Sequence, residues 1–347
     1  TGHGSDNTRF IFPWARNPES LLRRRLRVEP VTPESPRKLL EELIPTVPLA
    51  MLFLKRLRHV SISQNGQRVK SFEVEVDQDN DCLIVSDGTT STMWHRFHAN
   101  FDESASRLRK LHGSRIEDKR SSNVTIAVPD EPIDNGVFCA FLPTQQKTGL
   151  PFHINADFYP TSNRKEIVLE SDYQAEWNRV AINAAARALA QNLERVRDSV
   201  GAVQLWNIIA AADKVARDAE SNRCDTAMGQ FSECLAERLS SSSIVYSSKN
   251  QWVAPSCALF LEREEEVQSL AILEGLGLDI VHSDLRFAQN VLVSRTVGVR
   301  LLDGLALAAG LLRCGLNHRT DPQSLPDFLR PEAAWTRLWE EVSRLLE

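Results

Sequence analysis

"TGLPFHINADFYPTSNRKEI" at residues 148–167 opens on a turn, alternates strictly through a strand and ends in a polar corner. On a strand, Phe152, Ile154, Ala156 and Phe158 share one face, and His153, Asn155, Asp157 and Tyr159 share the other. The first face reads as core, and Pro160 ends the strand. Asn163 with Glu166 three residues on resembles a helix N-cap with its return partner, which puts Arg164 in the first turn of a helix. The helix dipole favours acidic groups at that end, so an arginine there is oddly placed. A guanidinium held at such a corner offers planar, forked donors to a visiting anion such as a phosphate. The plainer alternative is a surface ion pair with Glu166 or Glu170, of the kind worth little.

Downstream, Ser171 with Gln174 reads as a capping box for a long helix that runs to Gly201 with Trp177, Ala181, Ala184 and Ala188 on its apolar face. More helix is expected over 202–240. "SSIVYSSKNQWVAPSCALFLE" at 242–262 then returns to a hairpin and a buried segment. The last hundred residues alternate short strands ("LDIVHS", 278–283; "NVLVSR", 290–295) with helices ("VRLLDGLALAAGLL", 299–312; "PEAAWTRLWEEVSRLLE", 331–347), the pattern of a small α/β domain.

Upstream, strands dominate from about 49 to 160. Asn65-Gly66 between two alternating runs predicts a hairpin, and "DCLIVSDGTTSTMWHRFH" (81–98), "NVTIAVPD" (123–130) and "GVFCAFLPT" (136–144) supply further strands around one charged helix near 103–118. "LAMLFLKRLRHVSIS" (49–63) reads as a buried segment, helix or strand, that leads into an edge strand. "SPRKLLEELIP" (35–45) reads as a short helix after a linker containing "RRRLR" (23–27), and "TRFIFPW" (8–14) as one strand reaching its end at a proline.

The 347 residues are ordinary for soluble protein, with 42% hydrophobic and 25% charged side chains. The net charge of −5 is unevenly spread: the first 70 residues hold 13 Lys/Arg against 6 Asp/Glu, leaving the remainder strongly acidic. Six scattered cysteines without a CxxC pair point to buried thiols in a reducing compartment, and no apolar run approaches the roughly 20 residues of a membrane span. The first residues lack an initiator methionine and an apolar signal core, so the expectation is a piece of a longer chain.

"FLPTQQKTGLPFHINADFYPTSNRKEI" (141–167) resembles the segment after the ATPase domain in GHKL-type proteins of the sacsin and NO VEIN kind, where a "FLP", a "TGLPFHINADF" strand and a "TSNR" corner occur together. "TRFIFPW" is similar to the last strand of the family's ATP-binding domain, with Asn7 in its usual glycine position. "VPLAMLFLKRLRHVSIS" (47–63), "NQWVAPSCALFL" (250–261) and "LEGLGLDIVHSDL" (273–285) resemble later elements, so the likeness runs from about 8 to 285.

The resemblance implies an α+β architecture: the last strand of a truncated ATP-binding domain at 1–16, a basic linker and short helix at 17–48, a mixed-sheet middle domain at 49–170, a helical segment at 171–240 and a C-terminal α/β domain at 241–347. In the related ninety-kilodalton heat-shock chaperone an "SR" corner of the middle domain reaches into the nucleotide site. By that likeness Arg164 is the catalytic residue, with Thr8, Asn163 and Lys165 as its cofactor-side companions. The implied role is to couple ATP binding and hydrolysis in an upstream domain to movement or to grip on a client protein, in a cytoplasmic setting with the nucleus as the alternative, and as a homodimer. ATP and magnesium are expected only with that upstream domain, because the asparagine-bearing helix, the D-x-G-x-G turn and the glycine-rich lid are missing from these residues.

Other chemistries fit poorly. "SDGTT" (86–90) reads as a tight turn, and "GHG" (2–4) as loop. Cys82, His95 and His98 would need further ligands at regular spacing to hold zinc, so no metal site is expected. The basic "RRRLR" run lacks interleaved aromatics and reads as solvated linker rather than a nucleic-acid contact. No GxSxG elbow appears. The alternative function is a non-catalytic interaction scaffold that keeps only the fold.

Overall fold

A computed structural model describes residues 21–27, 32, 34–77, 81–170, 172–222, 226–262, 270–316 and 325–346. The strand expected at 8–14, with Thr8, lies outside them. Three short helices come first: α1 (Leu21–Leu26), α2 (Ser35–Leu43) and α3 (Thr46–Met51). The "RRRLR" run is therefore helical rather than linker, although Arg24, Arg25 and Arg27 are exposed as a solvated face would be.

An eight-stranded mixed sheet follows, built from β1 (His59–Gln64), β2 (Gln67–Asp77), β3 (Cys82–Ser86), β4 (Ser91–Asn100), β5 (Asn123–Pro129), β6 (Val137–Ala140), β7 (Leu142–Lys147) and β8 (His153–Ala156), with α4 (Asp102–His112) between β4 and β5. The order is β1-β2-β3-β4-β5-β8-β6-β7, and only β6 with β8 is parallel. The β1–β2 turn is the one read from Asn65-Gly66: φ is +53° and +76°, as a turn matched to strand twist requires. Asp87 closes the β3–β4 turn by accepting from the N–H groups of Thr89 and Thr90 at 2.9 Å each, so "SDGTT" is a tight turn.

β6 and β8 approach so closely that a Cβ on Gly136 would stand 1.7 Å from the carbonyl oxygen of Phe152. Only glycine fits there. Phe141, at φ +61°, kinks the chain between β6 and β7.

Both faces of the sheet are covered. On one lie Phe97, Val124, Ile126, Phe138, Phe152, Ile154 and Phe158, packed against α4 and the long α5 (Tyr173–Gln191). The other meets Met51, Leu52 and Phe53 through Phe72, Val74, Leu83 and Trp94. This explains a difference from the alternation pattern. Phe152, Ile154, Ala156 and Phe158 are core, but β8 has paired neighbours on both sides and cover on both faces, so His153 and Asn155 are buried as well.

α5 carries the expected stripe, with Trp177, Ala181, Ala184 and Ala188 fully buried. Its cap is Asp172, whose carboxylate accepts from the N–H groups of Gln174 and Ala175; Ser171 lies outside the described residues. The helix ends at Asn192, not at Gly201. Gly201 instead interrupts α6 (Leu193–Asn222) at φ +78°, and α7 (Thr226–Leu239) follows.

β9 (Val245–Tyr246) and β10 (Trp252–Val253) make the expected hairpin. β11 (Ala258–Phe260) is then flanked by β12 (Asp279–Ile280) and β13 (Arg300–Leu301) in a parallel sheet, with α8 (Leu270–Gly275) between β11 and β12. "NVLVSR" corrects to a helical turn, α9 (Gln289–Leu292): its apolar run buries Val291 and Leu292 without ladder partners, and the strand forms at Arg300 instead. α10 (Gly304–Arg313) and α11 (Glu332–Leu346) complete the mixed α+β fold. Among the described residues no helix is long and apolar enough to cross a membrane. Cys82 and Cys139 are buried thiols, Cys234 and Cys314 are half-buried, and Cys257 is exposed, contrary to the expectation for every cysteine; Cys224 lies outside the described residues.

Candidate functional site

The corner after β8 is a closed loop, not a helix start. Pro160 bridges Ile167 in antiparallel fashion, the Thr161 N–H donates to the Glu166 carbonyl at 2.8 Å, and the Arg164 N–H donates to the Thr161 carbonyl at 2.8 Å. Within this ring the Asn163 side-chain oxygen accepts from the Lys165 N–H at 2.9 Å and lies 2.8 Å from the Thr161 hydroxyl. The cap-like bond read from Asn163 is thus made, but it serves a turn, because the same side-chain acceptor suits both motifs. What excludes a helix is Arg164 itself, whose φ is +57°.

Two neighbours fix the loop from outside. Asn178, fully buried in α5, accepts from the Tyr159 N–H at 2.8 Å and donates to the carbonyls of Tyr159 at 2.9 Å and Val168 at 2.8 Å. One side chain therefore ties both shoulders. From β7, the Gln145 N–H donates to the Lys165 carbonyl and the Gln146 side-chain oxygen accepts from the Ile167 N–H, each at 2.8 Å.

The approach to the loop is pinned too. Arg120 donates to the Asp157 carboxylate at 2.7 Å and lies 3.6 Å from the centre of the Tyr159 ring, while the Trp177 indole donates to the Asp157 carbonyl at 3.0 Å. A half-buried, chelated pair of this kind resists displacement far better than an exposed one.

At the apex of this rigid backbone, Arg164 and Lys165 are exposed. Among the described residues no hydrogen bond or ion pair engages either side chain, so the surface pair with Glu166 or Glu170 is not formed. Left-handed backbone costs a non-glycine residue about 1–2 kcal/mol. The loop keeps an arginine there with no hydrogen bond or ion pair of its side chain among the described residues to compensate. Asn163, by contrast, is spent on loop architecture. Chemically the apex is a preformed cationic point that can receive an anionic group.

Sequence reasoning missed Thr161, Gln145, Gln146, Asn178 and the Arg120–Asp157 pair. An asparagine amid the apolar stripe of α5 was the available signal, since a buried amide must find partners.

The other constellation dissolves. Cys82 and His95 face each other across β3 and β4, with Sγ 3.1 Å from Nδ1, and His95 Nε2 lies 2.5 Å from Asp130 Oδ1. His98, three residues along the strand, points to the opposite face and pairs with Asp81 at 2.9 Å. Burial, reinforced by Asp77, Asp130 and Asp81, pushes the Cys82 thiol up, so it remains a protonated donor to the ring. The three do not converge on one point, and no cluster of three or more ligating side chains occurs among the described residues.

No protein-family model matches the chain, and no solved structure matches it. Over 63 residues, 18% of the chain, it is 46% identical to sacsin of Homo sapiens, of whose length this match covers 1%. A segment of this chain is therefore sacsin-like.

Proposed function

We propose that this chain is the coupling part of a large GHKL-type ATPase of the sacsin and NO VEIN kind, standing after the ATP-binding domain, and that Arg164 is its nucleotide sensor. The observation that carries the reading is the apex of the 160–167 loop, a guanidinium that no hydrogen bond or ion pair engages among the described residues, on a backbone clamped by Asn178, Gln145 and Gln146. Such a group costs little to bring up to a phosphate, because the loop entropy is already spent when the protein folds. The sacsin-like segment supports the family; the role of the corner rests on the motif resemblance.

On this reading ATP and magnesium belong to the upstream domain. Bound there, the nucleotide would supply the transferable phosphoryl group. Arg164 would sit against its developing negative charge, Lys165 would add to the local positive potential, and the clamp would pass the resulting pull into β7, β8 and α5. On this reading the protein works in the cytoplasm as a homodimer and moves or grips a client protein.

The test uses the natural chain extended upstream by a domain's length. Steady-state ATP turnover is compared for the parent, Arg164→Ala and Arg164→Lys, with nucleotide affinity measured separately. Loss of an arginine that stabilises phosphoryl transfer lowers turnover by about 10³-fold or more with affinity kept. Lysine restores little, because the forked donors are gone. Equal turnover in all three would leave the corner as structure and the chain as a non-catalytic scaffold.

A further inference from the structure

On the α3 side of the sheet, a cleft of about 510 Å³ opens between the chain following α3 and the ends of β4, β5 and β8. Lys55 and Arg58 line it from one wall, and Arg96 and His98 from β4 line the other. Asp81 is the carboxylate that meets them, 2.7 Å from Arg96 and 2.9 Å from His98.

His98 is held neutral. Burial lowers its proton affinity, Asp81 opposes this and Arg96 and Lys55 reinforce it, while Nδ1 accepts from the Thr125 hydroxyl at 2.8 Å. Three cations against one carboxylate leave the cleft about two charges positive. Lys55 and Arg58 are exposed, and no hydrogen bond or ion pair engages their side chains among the described residues. Arg96 gives one terminal nitrogen to Asp81, but its Nε is buried without a partner. That atom is closed off from the cleft, so the charge open to a ligand rests on Lys55 and Arg58.

The rest of the lining is mixed: Leu52, Phe53, Leu83 and the exposed Phe141 are apolar, while Ser121, Asn123, Thr125 and Asn155 add neutral polar groups. Volume, a partly apolar wall, neutral hydrogen-bonding groups and a few cations describe a small-molecule site rather than a flat protein interface.

We propose that this cleft binds a small organic anion, a phosphate or carboxylate on an aryl or alkyl body, with Lys55 and Arg58 holding the charged end. The site is separate from Arg164, and its test does not depend on ATP turnover. Phenyl phosphate, benzoate and the neutral benzyl alcohol are titrated into the 347-residue chain by calorimetry and by NMR shifts at 0.15 M salt, the two anions distinguishing the phosphate from the carboxylate source. At least one anion is expected to bind at millimolar concentration or tighter, and benzyl alcohol about tenfold more weakly or not at all. Lys55→Gln/Arg58→Gln, at exposed positions that should leave the melting temperature unchanged, is expected to weaken the anion about tenfold. Arg107→Gln/Lys110→Gln on α4 removes the same charge elsewhere and is expected to leave affinity within about twofold. Failure of both anions to bind, equal binding of the alcohol, or equal weakening by the α4 pair would overturn the assignment.

Discussion

Asn178 grips Tyr159 in both directions, accepting from its N–H at 2.8 Å and donating to its carbonyl at 2.9 Å, so a side-chain amide replaces a strand neighbour where β8 has run out of one. Asn178→Ala leaves two main-chain groups, the Tyr159 N–H and the Val168 carbonyl, without partners, while the Tyr159 carbonyl keeps the Val168 N–H at 2.9 Å. Each costs about 1–3 kcal/mol, partly recovered by relaxation, and the expected loss is about 3 kcal/mol or more. Urea unfolding of the variant measures it, and hydrogen exchange at 159–168 should rise before that of α5. Asn178→Asp keeps the acceptor but sets a carboxylate against two carbonyls, and is expected to be no better than alanine.

Arg164 should be replaceable by glycine with a gain in stability. Relief of left-handed backbone contributes about 1–2 kcal/mol, and the extra freedom of the unfolded chain offsets up to about 1 kcal/mol. The net expectation is a stabilisation of about 0.5–1 kcal/mol for Arg164→Gly and no change for Arg164→Ala, read as midpoint shifts in urea. Destabilisation by glycine would mean that the guanidinium is held by a contact after all.

His153 makes the fold sensitive to acid. Its ring is stacked 5.0 Å from Trp94, accepts from the Val137 N–H at 3.0 Å, and is held by burial to a pKa of about 4. Unfolded, the imidazole takes its proton near pH 6.5; folded, it does so only near 4. Stability from this residue is therefore complete above pH 6.5 and is lost progressively as pH falls from 6.5 to 4, by about 3 kcal/mol in all. His153→Gln should be less stable at pH 7.5 and should flatten that part of the stability–pH curve.

Gly136→Ala and Gly88→Ala separate sterics from backbone preference. The first forces a methyl into the Phe152 carbonyl and must pull β6 from β8, so soluble yield should collapse. The second faces open space at φ +85° and should cost only about 1 kcal/mol.

Where chemistry is local, the fold is legible in the sequence. Asn65-Gly66 dictates its turn whatever surrounds it, and the Trp177–Ala188 stripe can only face a sheet. "NVLVSR" misleads because apolar runs of that length suit a strand and a buried helical turn equally, and only the partners of β11 decide between them. The corner was legible as a place and illegible as a shape. Asn163 bonds the chain two residues on in both a cap and a turn, and the outcome is set by Gln145, Gln146 and Asn178, which lie 15 to 18 residues away in sequence.

That dispersal bears on how the protein is made. Parallel β6 and β8 cannot pair until the chain has run out along β7 and crossed back, a non-local closure of the slow-forming kind. The last tie on the corner, Asn178, leaves the ribosome after every other element of the corner. A nascent or truncated chain ending before α5 should hold the loop without its clamp and leave residue 164 free to relax from the left-handed region. Presentation of the arginine is then a late event in folding, coupled to docking of the helix, and premature chains would be silent rather than mistaken.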